Sequence, residues 1–365
     1  MNTPKKYNVI GIMSGTSMDG IDCSYIKTNG KDKVSIISEK TYNYSNIYRR
    51  KLKKIIDIYN KKNKILNSNK SETFITNQFI KIINKFIKEF NIKKSKIDLI
   101  GFSGQTVFHN PENKVSIQLG NCKKIQESLG LKIIGHFRQN DLKNGGLGAP
   151  IGAFYHKHII DKFAKNSAII NIGGVSNISF MNKKKLTAFD IGPGNALIDD
   201  LTSYFFKKNY DKDGNYAFKG KINEELIHLF KQDIFFSKKY PKTLDREYFK
   251  KYFTELKILK KNDSICTASK MTIESILLSL KLINKKFDKL IITGGGRKNL
   301  FIMKNLKNAL KNIKIIKIDK LNLDGDMLES QAFGYLSVRS YLNLRISIPT
   351  TTGVTKPISG GKLFK

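Results

Sequence analysis

The stretch Gly11–Asp22, GIMSGTSMDGID, places small residues, hydroxyls and two carboxylates between two short apolar runs. It contains neither the Gly-Lys-Ser/Thr of a Walker loop nor a GxGxxG pattern before a helix. A hairpin of such residues can instead direct backbone N–H groups and hydroxyls at one anion. Asp19 and Asp22 would repel a bare phosphate, so they make chemical sense mainly if a Mg²⁺ lies between these carboxylates and the phosphate. The alternative is a plain β-turn; for the complete run we favour a phosphate-binding hairpin.

A second candidate for chemistry is Asp141, which opens the stretch DLKNGGLGAP after a predicted strand. The glycines at 145, 146 and 148 predict a flexible loop, and Pro150 suits the first turn of a following helix. Helix N–H groups near such a carboxylate would keep it ionised and able to accept a proton. An incidental acid in a loop before a helix is the alternative, and this stretch by itself leaves both open.

Two further stretches repeat a plan of strand, glycines and helix. FDIGPGNALIDD (189–200) has an acid, Asp190, at the strand end, and TGGGRKN (293–299) follows another apolar run. Small residues there let a ligand approach backbone N–H groups at the helix start, so the phosphates or ribose of a nucleotide could lie against either one. Each cluster alone is a common loop, and their recurrence at strand ends in both halves favours a nucleotide site.

Apolar periodicity predicts the elements that must position these residues. The first half is predicted to contain, in order, strands at 7–13, 21–27 and 33–42, a long basic helical region with an apolar face at Phe79, Ile83, Phe86 and Phe90, a strand in 97–104, a hairpin near 105–119, a short helix and a strand in 131–137. The second half is predicted to contain a helix from Pro150 to about 165, a strand in 167–174, a turn at Val175–Asn177, two short strands, helices near 194–207 and 264–284, a strand in 289–296, a helix at 298–311, a strand in 313–319 and a helix at 327–342.

The repeated order predicts two similar α/β domains that face each other across a cleft. The expected domains are residues 1–135 and 136–345, with 208–262 as an insertion in the second. The Thr/Gly/Pro-rich tail 346–365 is expected to pack back on the first domain.

Composition narrows the class of protein. In 365 residues, 40% of them hydrophobic, no uncharged apolar run reaches the ~18 residues of a membrane span, and no signal-peptide cleavage pattern follows the first strand. A cytoplasmic location without a membrane partner is therefore expected. Three scattered cysteines exclude a disulfide framework. The net charge of +36 raises the question of nucleic-acid binding. However, the lysines are spread along the chain and Trp is absent, so a solvated basic surface and no nucleic-acid partner are expected.

The chain resembles the anhydro-N-acetylmuramic acid kinase family, within the actin-like/hexokinase-like ATPase superfamily. The matching stretches run from residue 9 to about 357: GIMSGTSMDGID, SGQTVFHNP, FRQNDLKNGGLGAP, NIGGVSNIS, FDIGPGNALID, ITGGGRKN and GDMLESQAFGYLSVR. The resemblance implies an α/β fold of two ribonuclease H-like (actin/hexokinase-type) domains around a central cleft, and a homodimer. It also implies that ATP and water convert 1,6-anhydro-N-acetylmuramic acid to N-acetylmuramic acid 6-phosphate and ADP in peptidoglycan recycling.

The resemblance further implies roles for individual residues. Asp141 matches the general base that deprotonates the attacking water. The ATP phosphates and Mg²⁺ are expected at Gly15, Thr16, Ser17, Met18, Asp19, Gly20, Ile21 and Asp22, with Asp19 and Asp22 nearest the metal. The rest of the nucleotide is expected at Gly173, Gly174, Asp190, Gly192, Gly194, Asn195, Gly294, Gly295 and Gly296. The sugar or its phosphate is expected at Gln105, Gly146 and Glu329.

Three positions depart from the family pattern and leave the polar contacts to the sugar open. Leu147 stands where glutamine is usual, Ser103 where histidine is common, and Asp245 where glycine is expected. The alternatives to the implied function are another sugar or carboxylate kinase of the same superfamily, and a non-catalytic binding protein switched by nucleotide.

Overall fold

A computed structural model describes residues 4–15, 18–62, 69–111 and 113–365. The chain divides into two compact units: unit 1 is Met1–His158 with Met327–Lys365, and unit 2 is Ile159–Asp326. The domain boundaries expected near residues 135 and 345 stay a prediction. Within the described residues, no helix combines the length and the apolar character that a membrane crossing requires.

Two sheets are formed by strands rich in buried aliphatic residues. Their strands are β1 (Tyr7–Ser14), β2 (Gly20–Thr28), β3 (Val34–Asn43), β4 (Leu99–Asn110), β5 (Val115–Leu119) and β6 (Ile133–Gly135) in unit 1, β7 (Ser167–Ile172), β8 (Val175–Asn182), β9 (Lys185–Pro193), β10 (Lys289–Thr293) and β11 (Lys314–Lys317) in unit 2, and β12 (Lys362–Phe364), which returns to unit 1.

The α-helices lie between these strands and after them. They are α1 (Asn46–Lys62), α2 (Asn69–Glu89), α3 (Cys122–Leu129), α4 (Gln139–Lys143), α5 (Ala153–Phe163), α6 (Ala196–Phe206), α7 (Glu224–Lys231), α8 (Ile234–Ser237), α9 (Phe253–Ile258), α10 (Lys261–Ile283), α11 (Leu300–Ala309), α12 (Leu328–Tyr341) and α13 (Pro349–Thr352). The segment predicted as an insertion carries α7, α8 and α9, and its buried aromatic residues pack into the core of unit 2.

Both sheets have the same strand order. In unit 1 the order is β12-β6-β4-β1-β2-β3 with β5 also paired to β4, and in unit 2 it is β11-β10-β7-β8-β9. In each, the first strand is central, the next two continue antiparallel on one side, and two later strands join in parallel on the other. Unit 1 has in addition β12, which pairs antiparallel with β6. This is the order of a ribonuclease H-like domain, so the predicted α/β fold class and the internal repeat are confirmed.

Two local predictions in the second half are wrong. Val175–Asn177 is the start of β8, and the turn before it falls on Gly173 and Gly174, which restrict the backbone less than a β-branched valine does. Helix α5 begins at Ala153 because its first turn forms on the carbonyl of Gly152, which accepts the N–H groups of Tyr155 and His156. Pro150 therefore lies before the helix.

Helix α12 packs directly on the sheet of unit 1 because small residues let the two backbones approach. A Cβ at Gly11 of β1 would lie 1.9 Å from the carbonyl oxygen of Ser330, and one at Gly101 of β4 would lie 2.2 Å from that of Phe333. The hydroxyls of Ser24 and Ser330 are 2.6 Å apart in the same contact. Glycine at both strand positions is thus a requirement of this packing.

Replacing Gly11 with alanine should lower the free energy of unfolding by about 3 kcal/mol, the upper end of the usual cost of overpacking, because the obstructing atom belongs to the helix backbone. Urea denaturation measures this difference. Gly152→Ala is the matched control, since a Cβ there meets nothing within 4 Å, and it should change stability by less than about 0.5 kcal/mol. Equal stability of the two variants would contradict the packing argument.

Candidate active site

The β1–β2 hairpin is held by a buried hydrogen-bond network centred on Ser14. The Ser14 hydroxyl donates to Oε1 of Gln105 at 2.5 Å and lies 2.8 Å from the hydroxyl of Tyr44. The Gln105 amide nitrogen donates to the carbonyl of Gly15 at 3.3 Å. Gln105 is completely buried, so its side chain positions the start of the hairpin, and the expected sugar contact of this residue stays a prediction.

The two acids of the hairpin lie in different surroundings. Asp19 is exposed and lies 3.6 Å from the guanidinium of Arg49, whereas Asp22 accepts a hydrogen bond from the hydroxyl of Thr41 at 2.6 Å. Among the described residues, no three His, Cys, Asp or Glu side chains are grouped to hold a metal. A Mg²⁺ near Asp19 would therefore take its other ligands from phosphate oxygens and water, which suits the usual hydration of this ion. Thr16 and Ser17, both predicted phosphate contacts, lie outside the described residues.

Asp141 is in helix α4, where its carboxylate is 1% exposed. Its Oδ1 accepts the N–H of Gly148 at 2.7 Å, and its Oδ2 accepts the hydroxyl of Thr352 at 2.5 Å. The carbonyl of Asp141 also accepts the N–H of Gly146 at 2.9 Å. The loop that follows α4 and the C-terminal helix α13 are thus both tied to this one carboxylate.

The glycines after α4 are required by the carboxylate. A Cβ at Gly146 would lie 2.1 Å from Oδ1 of Asp141, and Gly148, which donates its N–H to the same oxygen, has a left-handed φ of +74°. The structure therefore brings Asp141 and Gly146 together, and their expected roles in one site stay a prediction. Thr352 was missed, because 211 residues separate it from Asp141 and no local pattern relates the two.

In unit 2, the turn at Gly173 and Gly174 contacts the start of helix α6. The carbonyl of Gly173 accepts the N–H of Asn195 at 2.7 Å, and that of Gly174 accepts the N–H groups of Gly194 and Ala196 at 3.0 and 3.2 Å. These three donors hold the turn, so the view that a ligand binds them needs correction. Gly173, Gly174, Gly194 and Asn195 stay predicted nucleotide contacts, through other atoms.

The Gly294–Gly296 loop meets the same part of unit 2. Gly294 has a φ of +75°, and a Cβ there would lie 2.3 Å from Oδ1 of Asn171, while one at Gly296 would lie 2.2 Å from the side chain of Ile172. The side-chain amide of Asn195 donates to the carbonyl of Ile172 at 3.1 Å. The glycine clusters that the sequence singled out in this half are therefore neighbours in space, as one nucleotide site would require.

Comparison with known proteins decides the family. The model of the anhydro-N-acetylmuramic acid kinase family matches residues 7–365. A relative from Pelagibacter ubique (strain HTCC1062), described as anhydro-N-acetylmuramic acid kinase, is 36% identical over 378 residues that cover 99% of both chains. One of the same description from Zymomonas mobilis subsp. mobilis is 33% identical and covers 97% of this chain and 98% of its own. The chain belongs to the anhydro-N-acetylmuramic acid kinase family.

For a member of this kinase family, the environment of Asp190 is informative. Its N–H donates to the carbonyl of Lys242 at 2.9 Å, and its Oδ2 accepts the hydroxyl of Thr243 at 2.5 Å and the N–H of Leu244 at 2.9 Å. Asp190 thus holds the predicted insertion against the end of β9. Gly192, two residues on, packs against helix α10, where a Cβ would lie 2.4 Å from the hydroxyl oxygen of Ser275.

Two basic residues near these loops were not predicted as site residues from the sequence. The buried guanidinium of Arg297 donates to the carbonyl of Gly294 at 3.0 Å and to carboxylates of Asp319 and Asp326, which raise the pKa of Arg297 despite its burial. Lys242 is buried and donates to the carbonyl of Phe235 at 2.8 Å. The position of Arg297 directly after three glycines was a usable signal, whereas nothing local marked Lys242.

Glu329, the last of the expected sugar contacts, and the three residues that depart from the family pattern can now be placed. Glu329 is exposed in the first turn of α12. The Ser103 hydroxyl donates to the carbonyl of Gly104. The N–H of Leu147 donates to the backbone carbonyl of Thr352, and the carboxylate of Asp245 accepts the N–H of Glu247. The bonds of Ser103 and Asp245 are local, whereas that of Leu147 joins the loop after α4 to helix α13.

Removing the hydroxyl of Thr352 should destabilise unit 1. Thr352→Val leaves a buried carboxylate with one donor fewer, which should lower the free energy of unfolding by about 2–3 kcal/mol. Thr352→Ser keeps the hydroxyl and loses one methyl group, so it should lower the free energy of unfolding by about 1 kcal/mol or less. Chemical denaturation of both variants measures the difference, and a serine variant as unstable as the valine variant would contradict the proposed importance of this bond.

Lys242 should make stability depend on pH. Burial, with a smaller contribution from the charge of Lys238, lowers the pKa of Lys242 from 10.5 to about 8. Between these values the unfolded chain binds more protons than the folded one, so the free energy of unfolding should rise with pH. Relative to Lys242→Met, the wild type should gain on the order of 1–3 kcal/mol from about pH 7.5 to 10.5.

Denaturant titrations across this pH range provide the measurement. Lys239→Met, which removes an exposed lysine of the same segment, is the matched control and should keep the rise of the wild type. If wild type and Lys242→Met changed in parallel, the side chain of Lys242 would not be the group that titrates.

Proposed function

We propose that the protein is an ATP-dependent kinase that hydrolytically opens 1,6-anhydro-N-acetylmuramic acid and phosphorylates O6, giving N-acetylmuramic acid 6-phosphate and ADP. The observation that carries this proposal is the family match over residues 7–365, with a relative of that description 36% identical over 99% of both chains. Such a reaction serves the recycling of peptidoglycan and the catabolism of amino sugars. Because it consumes ATP, the proposal includes a cytoplasmic location, and it includes the homodimer expected from the sequence.

The reaction needs one proton acceptor. The oxygen of water bonds to C1 of the sugar, the C1–O6 bond breaks, O6 bonds to the γ-phosphorus of ATP, and ADP leaves. The proton that the water loses passes to a carboxylate, a transfer that typically contributes ~10²–10⁴-fold to the rate. Asp141 is the proposed acceptor, because each of its oxygens takes one described hydrogen bond and a carboxylate oxygen can accept two.

Asp190 is a second candidate for the same step. Asp141 is 1% exposed and Asp190 is 5% exposed, so burial does not separate the two carboxylates. Asp190 lies at the end of β9, just before Gly192 and Gly194, and its carboxylate is oriented by two donors from Thr243 and Leu244. A base that is oriented by neighbouring donors and adjoins the predicted nucleotide loops also fits the chemistry.

The proposed nucleotide contacts are those expected from the sequence. The β1–β2 hairpin would hold the phosphates, with Asp19 and Asp22 near a Mg²⁺ that neutralises phosphate charge. The glycines of unit 2 would contact the rest of ATP, because the absence of side chains lets a ligand approach the backbone. Phosphoryl transfer depends mainly on such positioning and charge neutralisation, which glycine loops and exposed carboxylates can supply.

Isotope labelling tests the coupled reaction. When the protein acts on the anhydro-sugar and ATP in ¹⁸O water, we expect ¹⁸O at C1 and phosphate on O6 of the product, by mass spectrometry and NMR. A phosphorylated product whose 1,6-ring is intact would show an ordinary sugar kinase instead. Nucleotide binding without any sugar product would show a nucleotide-switched binding protein.

Asn substitutions separate the two candidate bases. Replacing the residue that accepts the proton should lower kcat by ~10²–10⁴-fold and leave the affinity for the sugar unchanged. The reason is that asparagine preserves the shape of the side chain but cannot take the proton. Asp141→Asn, Asp190→Asn and the control Asp57→Asn, an exposed acid of α1, are compared by steady-state kinetics and calorimetric sugar binding. Full turnover in both site variants would refute both assignments, even if the labelling result stood.

A further inference from the structure

His109 is a buried residue to which no described part of the chain offers a hydrogen bond. It lies in β4, is 8% exposed, and neither ring nitrogen has a hydrogen-bond partner among the described residues. Most buried polar side-chain atoms in proteins are paired, so an unpaired imidazole needs an explanation. By contrast, Gln105, earlier in the same strand, has both ends of its side chain bonded to the hairpin. Both residues belong to the stretch SGQTVFHNP, in which Gln105 is an expected sugar contact and His109 has been given no role.

The strand position of His109 is connected to the helix that carries Asp141. In the antiparallel pairing of β4 and β5, His109 is opposite Ser116. The side-chain amide of Gln139, the first residue of α4, donates to the carbonyl of Ser116 at 3.2 Å. A bulge between Thr106 and Phe108 also interrupts the pairing just before His109, and bulges commonly redirect side chains beside active sites.

A positive charge is close to this imidazole. Arg138 immediately precedes α4, and burial together with the charge of Arg138 lowers the pKa of His109 to about 3. His109 is therefore neutral at physiological pH, with one N–H to donate and one lone pair to accept. A guanidinium and a neutral N–H donor together are well suited to bind a carboxylate, whereas they offer little to a cation.

We propose that His109 and Arg138 recognise the lactyl carboxylate of the sugar, and that they determine the preference for a muramic acid over a sugar without this group. This inference rests on the proposed function, because it concerns the substrate of the same site. At neutral pH the carboxylate is the one ionised group of 1,6-anhydro-N-acetylmuramic acid. Its binding would give the imidazole the hydrogen-bond partner that none of the described residues supplies.

Two sugars that differ only in the lactyl ether test the proposal. For 1,6-anhydro-N-acetylmuramic acid, we expect His109→Leu and Arg138→Met to lower kcat/KM by roughly 10–100-fold, as for loss of a hydrogen bond to a charged group. For 1,6-anhydro-N-acetylglucosamine, the same variants should change kcat/KM by less than about threefold. His109→Gln keeps an N–H donor and should retain most of the preference for the acidic sugar.

The matched control is His156→Leu, which removes another buried imidazole from unit 1. This variant should change kcat/KM for the two sugars by the same factor, as expected of a residue with a purely structural role. Equal losses with both sugars in His109→Leu and Arg138→Met would overturn the proposal while leaving the kinase assignment intact. If His109→Leu fails to fold, the same comparison with Arg138→Met decides.

Binding without ATP separates this inference from the proposed function. Calorimetry should show that the wild type binds the acidic sugar more tightly than the neutral one, and that Arg138→Met loses this preference. That result would support the recognition of the carboxylate even if no phosphorylated product formed. A wild type that phosphorylates the acidic sugar but binds both sugars equally would refute it.

Discussion

The carboxylate of Asp141 connects three separate parts of unit 1. Helix α4 carries it, the glycine loop after α4 donates one N–H to it, and the C-terminal helix α13 donates the hydroxyl of Thr352. A buried carboxylate without donors would be strongly unfavourable, so the loop and the tail must keep these positions for the unit to be stable.

Close approach of backbones is the second constraint, and glycine meets it repeatedly. Helix α12 contacts β1 and β4 at Gly11 and Gly101, where side chains would collide with helix carbonyls. In unit 2 the loop at Gly294–Gly296 packs on Asn171 and Ile172 in the same way. Glycines that look like one class in the sequence therefore serve two purposes, tight packing in some places and an open backbone in others.

Hydrogen bonding distinguishes these purposes better than residue type does. The N–H groups at the start of α6 are of a kind that can bind phosphate, yet they donate to the carbonyls of Gly173 and Gly174. Gln105 is hydrogen-bonded within its own unit, whereas the ring nitrogens of His109 in the same motif have no hydrogen-bond partner in residues 4–15, 18–62, 69–111 and 113–365. The residue whose bonding capacity remains unused is the more informative one for binding.

The sequence by itself determined the fold class and most elements, because strand and helix periodicities are local and both halves repeat one order. Strands expected at 7–13, 21–27 and 33–42 are Tyr7–Ser14, Gly20–Thr28 and Val34–Asn43. Only the tertiary structure decided the partners of Asp141 and Asp190, the role of Arg297 and the isolation of His109. Hydrogen bonds between residues such as Asp141 and Thr352, 211 positions apart, depend on how the chain returns on itself, and no local pattern encodes that.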